Sequence, residues 1–221
     1  MSVTLGEQVM LLSLDDESGA AKERAAASWA VAGGIVLELV LAGKLSVHKD
    51  RMSVADRTPT GTALLDERLA LIDAWAAGRK KPPTVTEWLM RDREKSVKAT
   101  IASLCDRGLV GEERTRLLGL FPVTRYPEAD GSVERELRER LRALVLDGAE
   151  PGERDAGLVA LIHGAKLHRI AFPGVPRKQV AARIQEIADG EWASRAVGDA
   201  IRAMQAVLAA ATAAAVAAAA V

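Results

Sequence analysis

Residues 29–42 read Trp-Ala-Val-Ala-Gly-Gly-Ile-Val-Leu-Glu-Leu-Val-Leu-Ala, with Glu38 as the single charged position. A helix that is apolar around nearly its whole circumference has no face to offer water, so it has to be surrounded by other parts of the fold. Gly33 and Gly34 sit inside this run, where each costs about 1 kcal/mol against alanine in helix propensity. Their presence points to another backbone passing close by. The chain is therefore expected to wrap its remaining elements around residues 29–42.

Those elements are mostly helical. Aromatic residues make up only 3% of the chain, so the core has to be built from Leu, Val, Ile and Ala, a mixture that favours helix. Leu5, Val9, Met10 and Leu12 give a short first helix, with Thr4 and Glu7 in capping-box register. The polar turn 15–19 follows, then an alanine-rich helix from about Lys22 that continues into the apolar run. Residues 43–47 end that helix and begin a short strand, and 51–59 read as a loop. Helices are expected at 63–75, from Thr84 with Glu87 as its capping partner, and over 94–107, where Val97, Ile101, Leu104 and Cys105 form a stripe closed by Gly108.

Residues 109–113 and 117–123 read as a β-hairpin, with Pro122 and Pro127 ending its second arm. Further helices are expected at 133–146, 157–167 and 178–189, and Trp192 begins a long terminal one. Residues 203–221 carry no charge and are mostly alanine, which suits a buried or fraying last helix better than a membrane anchor. The expected fold is mainly α: a compact helical domain, residues 1–221, around a central buried helix bundle, with one protruding β-hairpin.

Thirty basic and thirty acidic residues cancel, so no global field draws the chain to nucleic acid or an anionic membrane, and any anion site must be local. The single cysteine, Cys105, rules out an internal disulfide and sits on an apolar stripe where a thiol is inert. The N-terminal residues lack the basic and apolar stretches of a signal peptide, so a cytoplasmic location is expected. No phosphate-gripping or dinucleotide-binding glycine motif is present. His163 and His168 lie five apart, a spacing that places them on different parts of one helix surface rather than on a shared metal. No catalytic residue, metal or cofactor is expected, and the function is read as binding. Asp15, Asp16 and Glu17 suit a solvated turn. The basic residues Lys22 and Arg24, near the start of the central helix, and Arg91, Arg93, Lys95 and Lys98 could hold a phosphate by charge-assisted hydrogen bonds. Their bland alternative is a solvated basic face.

The order of motifs narrows this reading. Residues 4–19, then Gly33 to Leu45, Pro59-Thr60-Gly61-Thr62-Ala63-Leu64-Leu65-Asp66-Glu67, Ser103 to Val110 with 117–121, and Ala160-Leu161-Ile162-His163 together resemble the Golgi phosphoprotein 3 family across almost the whole chain. The resemblance implies a helical domain with a hairpin used in self-association. It also implies a peripheral membrane protein that binds phosphatidylinositol 4-phosphate and, in eukaryotes, helps retain glycosylation enzymes in the Golgi. The alanine- and arginine-rich composition suggests a bacterial relative, in which the ligand is another anionic lipid or a protein.

The family's lipid pocket, as the resemblance implies it, uses a tryptophan and arginines from the central helix and from the helix before the hairpin. Alignment on Leu37-Glu38-Leu39 puts Ala32 at one arginine, Glu23 near the tryptophan, and Glu94 and Val97 near the other arginines. The pocket is not reproduced residue by residue, but Lys22, Arg24, Arg93, Lys95 and Lys98 lie close enough in sequence to rebuild a basic site. The expected partner is an anionic phospholipid at the inner face of a membrane. A rival reading is a winged-helix-like nucleic-acid binder, with helix 94–107 followed by a hairpin bearing Arg114, Arg116 and Arg125, and zero net charge counts against it. In the hairpin Leu117, Leu118, Leu120 and Phe121 are almost consecutive, so strict alternation cannot bury them all; self-association through this edge is expected ahead of its dipping into a membrane, and the alternative is a hairpin folded back over its own domain.

Overall fold

A computed structural model describes residues 3–14, 23–117, 121–129, 131–190 and 193–219. It is mainly helical, with two small antiparallel hairpins. The order is α1 (Leu5–Ser13), α2 (Arg24–Leu41), β1 (Leu45–His48), β2 (Arg51–Val54), α3 (Ala63–Ala77) and α4 (Val85–Asp106). Then come β3 (Glu113–Leu117), β4 (Phe121–Arg125), α5 (Ser132–Val145), α6 (Glu153–Gly164), α7 (His168–Ala171), α8 (Arg177–Asp189) and α9 (Arg195–Ala219).

Helix α2 is the axis of the fold, touched by α1, α3, α4, α6, α9 and β1. It is long and apolar enough to cross a bilayer, yet two thirds of it is buried by protein, and Ala30 to Leu39 are enclosed. The two glycines are explained by what packs on them. A Cβ on Gly34 would lie 2.6 Å from the Gly6 nitrogen of α1, and one on Gly33 would lie 2.5 Å from Met204 Sδ of α9. Close approach by α1 is what lets all nine of its residues be buried. Its start is closed by the expected capping box: Thr4 Oγ1 accepts from the Glu7 amide at 3.3 Å and Glu7 Oε2 from the Thr4 amide at 2.6 Å.

Four expectations need correction. Residues 51–54 form β2, pairing with β1 from Leu45↔Val54 to His48↔Arg51, where a loop was expected. Lys49 and Asp50 make the turn with φ of 47° and 65°, the conformation that two-residue hairpins require and that Asn-Gly usually advertises. Only Met52 of β2 is fully buried, so the alternation is too short to read from sequence. The stretches starting at Thr84 and at Glu94 belong to one helix, α4, because no breaker separates them and Asp92 and Ser96 are buried as its polar inner face.

The second hairpin is shifted. Its strands pair from Glu113↔Arg125 to Leu117↔Phe121, and Pro122 lies within β4 opposite Arg116 rather than ending the arm. A two-stranded sheet leaves one edge of each strand without a ladder, so proline is tolerated there. The base of this hairpin is closed by Gly111 N donating to Pro127 O at 2.8 Å and Ala129 N to Leu109 O at 3.0 Å. Leu118 and Leu120 lie outside the described residues, as do Lys22 and Trp192.

Finally, His163 and His168 do not share one helix. The chain breaks after α6, with Lys166 at φ 57°, and this turn brings the two rings edge to face at 5.6 Å.

Candidate site at the start of the central helix

Most residues that carry the family motifs hold the fold together. Buried Glu7 accepts from Ser103 Oγ at 2.7 Å and from Arg107 Nη1 at 2.9 Å, tying α1 to the end of α4. Glu38 accepts from the Leu5 amide at 2.8 Å and pairs with Arg154. Lys44 donates to Asp56 Oδ2 at 2.5 Å and Thr58 Oγ1 at 2.6 Å. The Lys44 bond, followed by those from Thr58, holds the Asp56 carboxyl far below the usual carboxylate range. Asp66 in the first turn of α3 accepts from both the amide and the hydroxyl of Thr60 at 2.6 Å, and Gly61 at φ +82° makes the bend between them. Burial acts to raise the Asp66 pKa, but the Thr60 bonds outweigh it and lower it.

A different set of side chains meets where α2 begins. Glu23 precedes the helix in the left-handed region, at φ 50°, and its side chain makes no capping bond, so among the described residues the first backbone N–H groups have no intrahelical acceptor. Arg24, Ala26 and Trp29 of this segment, Lys166 after α6, and Leu208 and Thr212 of α9 line a cleft of about 400 Å³. From the other side Arg93 of α4 lays its guanidinium over the Trp29 ring, 4.7 Å from the centroid. It also lies against Glu94, with Nε 3.7 Å from Oε1. The stack orients Arg93 through its planar face, and among the described residues its Nη donors make no hydrogen bond. The cleft offers Arg24, Lys166, the helix-start amides and an indole beside one carboxylate, Glu23, with Arg93 on the far face of the indole, an arrangement with a cationic excess that suits an anion carried on an apolar or ring-shaped body.

Of the six cations singled out in the sequence, Lys22 lies outside the described residues and the other five divide between two places. Arg24 lines this cleft and Arg93 stacks on its tryptophan. At about 100° per residue, Arg91, Lys95 and Lys98 share another strip of α4, roughly opposite Arg93. There Arg91 lies 5.7 Å over the ring of Trp75 on α3. At the positions aligned with the family's arginines, Ala32 is buried in α2, Val97 packs against the core and Glu94 is exposed. Sequence reasoning missed Trp29 and Lys166 as site residues. Trp29 was visible only as the first residue of the apolar run, and nothing local announces that the turn at Lys166 comes back to it.

The match to the family model for Golgi phosphoprotein 3 (GPP34) spans residues 5–204. Vacuolar protein sorting-associated protein 74 of Eremothecium gossypii is 27% identical over 170 residues, covering 66% of this chain and 50% of that protein. The protein of the same name from Schizosaccharomyces pombe is 29% identical over 168 residues, covering 63% of this chain and 47% of that protein. The chain thus spans about half the length of the curated relatives it matches. With a match that takes in nearly every helix described above, the chain belongs to the Golgi phosphoprotein 3 family.

Proposed function

We propose that the protein is a non-enzymatic peripheral membrane protein, acting on the cytoplasmic side, that binds the head group of an anionic phospholipid at the cleft where α2 begins. The ligand is phosphatidylinositol 4-phosphate or a bacterial lipid with an equivalent phosphate. One observation carries the reading: the Arg93 guanidinium stacked at 4.7 Å on Trp29, beside a helix start that Glu23 does not cap. The family's tryptophan and arginine pairing is matched here from shifted positions, with Trp29 six residues beyond Glu23 and Arg93 one residue before Glu94. Fungal relatives named for association with vacuolar protein sorting support a related task.

Vesicle flotation tests it. The protein is expected to float with phosphatidylcholine vesicles doped with phosphatidylinositol 4-phosphate and to stay behind with phosphatidylcholine alone. Arg93→Ala and Arg24→Ala should each weaken this about tenfold or more, the worth of one charge-assisted phosphate contact. Equal recovery with neutral and doped vesicles sinks the reading, as does retention of full binding by the double variant.

Self-association through the β3–β4 hairpin is the accompanying proposal, supported by a two-stranded sheet whose outer edges have no strand partner among the described residues. Light scattering on the intact protein and on a variant lacking residues 112–120 tests it, and a monomeric intact protein at high concentration removes it.

A further inference from the structure

A second basic surface lies on the other flank of α4, away from the Trp29 cleft. The loop after α3 reads Gly78-Arg79-Lys80-Lys81-Pro82-Pro83, and Arg79, Lys80 and Lys81 border a cleft with Arg51, whose Nη1 donates to Pro82 O at 2.6 Å. Arg79 also stacks 4.5 Å over the Trp75 ring, which Arg91 approaches at 5.7 Å. Lys95 and Lys98 continue the Arg91 strip along α4.

The carboxylates of these two helices are largely spoken for. Glu67 and Asp92 engage Arg68, Asp73 engages Arg57, Glu87 engages Arg79, Glu94 lies against Arg93 and Asp66 is held by Thr60. Lys80, Lys81, Arg91, Lys95 and Lys98 make no ion pair among the described residues. Exposed large apolar side chains occur on the same two helices: Met90 is 68% and Leu71 is 41% exposed. Leu71 is one turn before Trp75 on α3, and at about 100° per residue Met90 falls on the outward crest of α4, between the Arg91 strip and Arg93.

We propose that this face, Leu71 and Trp75 beside Lys80, Lys81, Arg91 and Lys95, with Met90 on the adjoining outward crest of α4, docks the protein onto an anionic bilayer through bulk lipid charge, independently of head-group recognition at Trp29. Exposed apolar side chains interspersed with lysine and arginine match the boundary between head groups and acyl chains. The cations stay with the phosphates while Met90 and the indole enter the boundary. A nucleic acid would satisfy the cations but give Met90 and Leu71 no partner. Arg91 and Arg93 sit within about one turn along α4, so a membrane reaching this end of the helix lies near both flanks.

The test uses the full chain and phosphatidylcholine vesicles containing phosphatidylglycerol, with no phosphorylated inositide. The wild type is expected to bind them, and to be released as salt is raised past about 0.1 M. Each lysine near an anionic surface contributes roughly fivefold to partitioning, so Lys80→Gln, Lys81→Gln and Lys95→Gln together should cost on the order of a hundredfold. Met90→Ser should cost a further few-fold and reduce the residual binding that survives high salt. These positions are exposed, and circular dichroism checks that the variants fold. Arg93→Ala should lower the preference for phosphatidylinositol 4-phosphate over phosphatidylglycerol, whereas the triple lysine variant should weaken binding to both alike, which separates this surface from the Trp29 cleft. Failure of the wild type to bind phosphatidylglycerol vesicles overturns the proposal, as does unchanged binding by the triple variant. So does tighter binding of the same face to duplex DNA at equal salt.

Discussion

Replacing Gly34 by alanine tests whether the contact between α1 and α2 is set by backbone. The new Cβ would lie 2.6 Å from the Gly6 nitrogen and 2.9 Å from both Gly6 Cα and the Leu5 carbonyl carbon. None of these atoms can rotate away, so α1 has to retreat by about 1 Å to restore ordinary contact near 3.5 Å. All nine residues of α1 are buried, and a gap of that size forfeits a quarter to a half of the dispersion attraction across it. The strain therefore falls at the upper end of the usual overpacking cost, about 3 kcal/mol, while alanine's better helix propensity returns about 1 kcal/mol.

The net loss is about 2 kcal/mol, or a Tm lower by about 4–8 °C for a chain of this size. Gly33→Ala is the control, because its Cβ meets only side-chain atoms, chiefly Met204 Sδ at 2.5 Å and Leu161 Cδ2 at 3.1 Å. Methionine can change rotamer, so propensity and repacking should nearly cancel, within about 1 kcal/mol. Urea unfolding followed by circular dichroism measures both variants. A Gly34→Ala protein as stable as wild type, or less damaged than Gly33→Ala, refutes the reasoning.

Asp92→Ala should destabilise by about 3–5 kcal/mol by leaving the Arg68 guanidinium buried without its main partner, and Arg68→Met combined with Asp92→Leu should recover part of that in the same urea assay. His168 has its pKa lowered, first by burial and then by Arg177 and His163, so the folded state binds its proton less readily than the unfolded chain. Its stabilisation is present above the ordinary value of 6.5 and is lost as pH falls from there through the folded pKa; His168→Phe should flatten that part of the stability–pH curve. Asp56, held down by Lys44 and Thr58, contributes above its ordinary value of 3.8 and is lost only as pH falls through its depressed folded value. Asp56→Asn should therefore unfold with less dependence on pH below 4 in acid titration by circular dichroism.

Much of the architecture was legible in the residues. Continuous apolarity over 29–42 can be satisfied only by enclosure, and Gly33-Gly34 only by close neighbours, so the central helix and its crowding follow from composition alone. Thr4 with Glu7 and Thr84 with Glu87 announce helix starts because the capping contacts span three residues. The β1–β2 hairpin was hidden because Lys49 and Asp50 adopt positive φ without glycine, its register being held by Met52 N to Pro83 O and Val85 N to Asp50 O, both 2.8 Å. Such long-range bonds leave no local pattern.

The site followed the same division. Sequence supplied the cations and the order of motifs that identifies the family. Which cations act together was decided by the packing of α4, whose two flanks face different neighbours: Arg93 reaches Trp29 on α2, and Arg91 reaches Trp75 on α3. Residues two apart on a helix point in nearly opposite directions, so closeness in sequence separates these two arginines. Residues far apart, Arg24, Lys166 and Thr212, line one cleft because α2, the turn after α6 and α9 are brought together only by burying their shared apolar core.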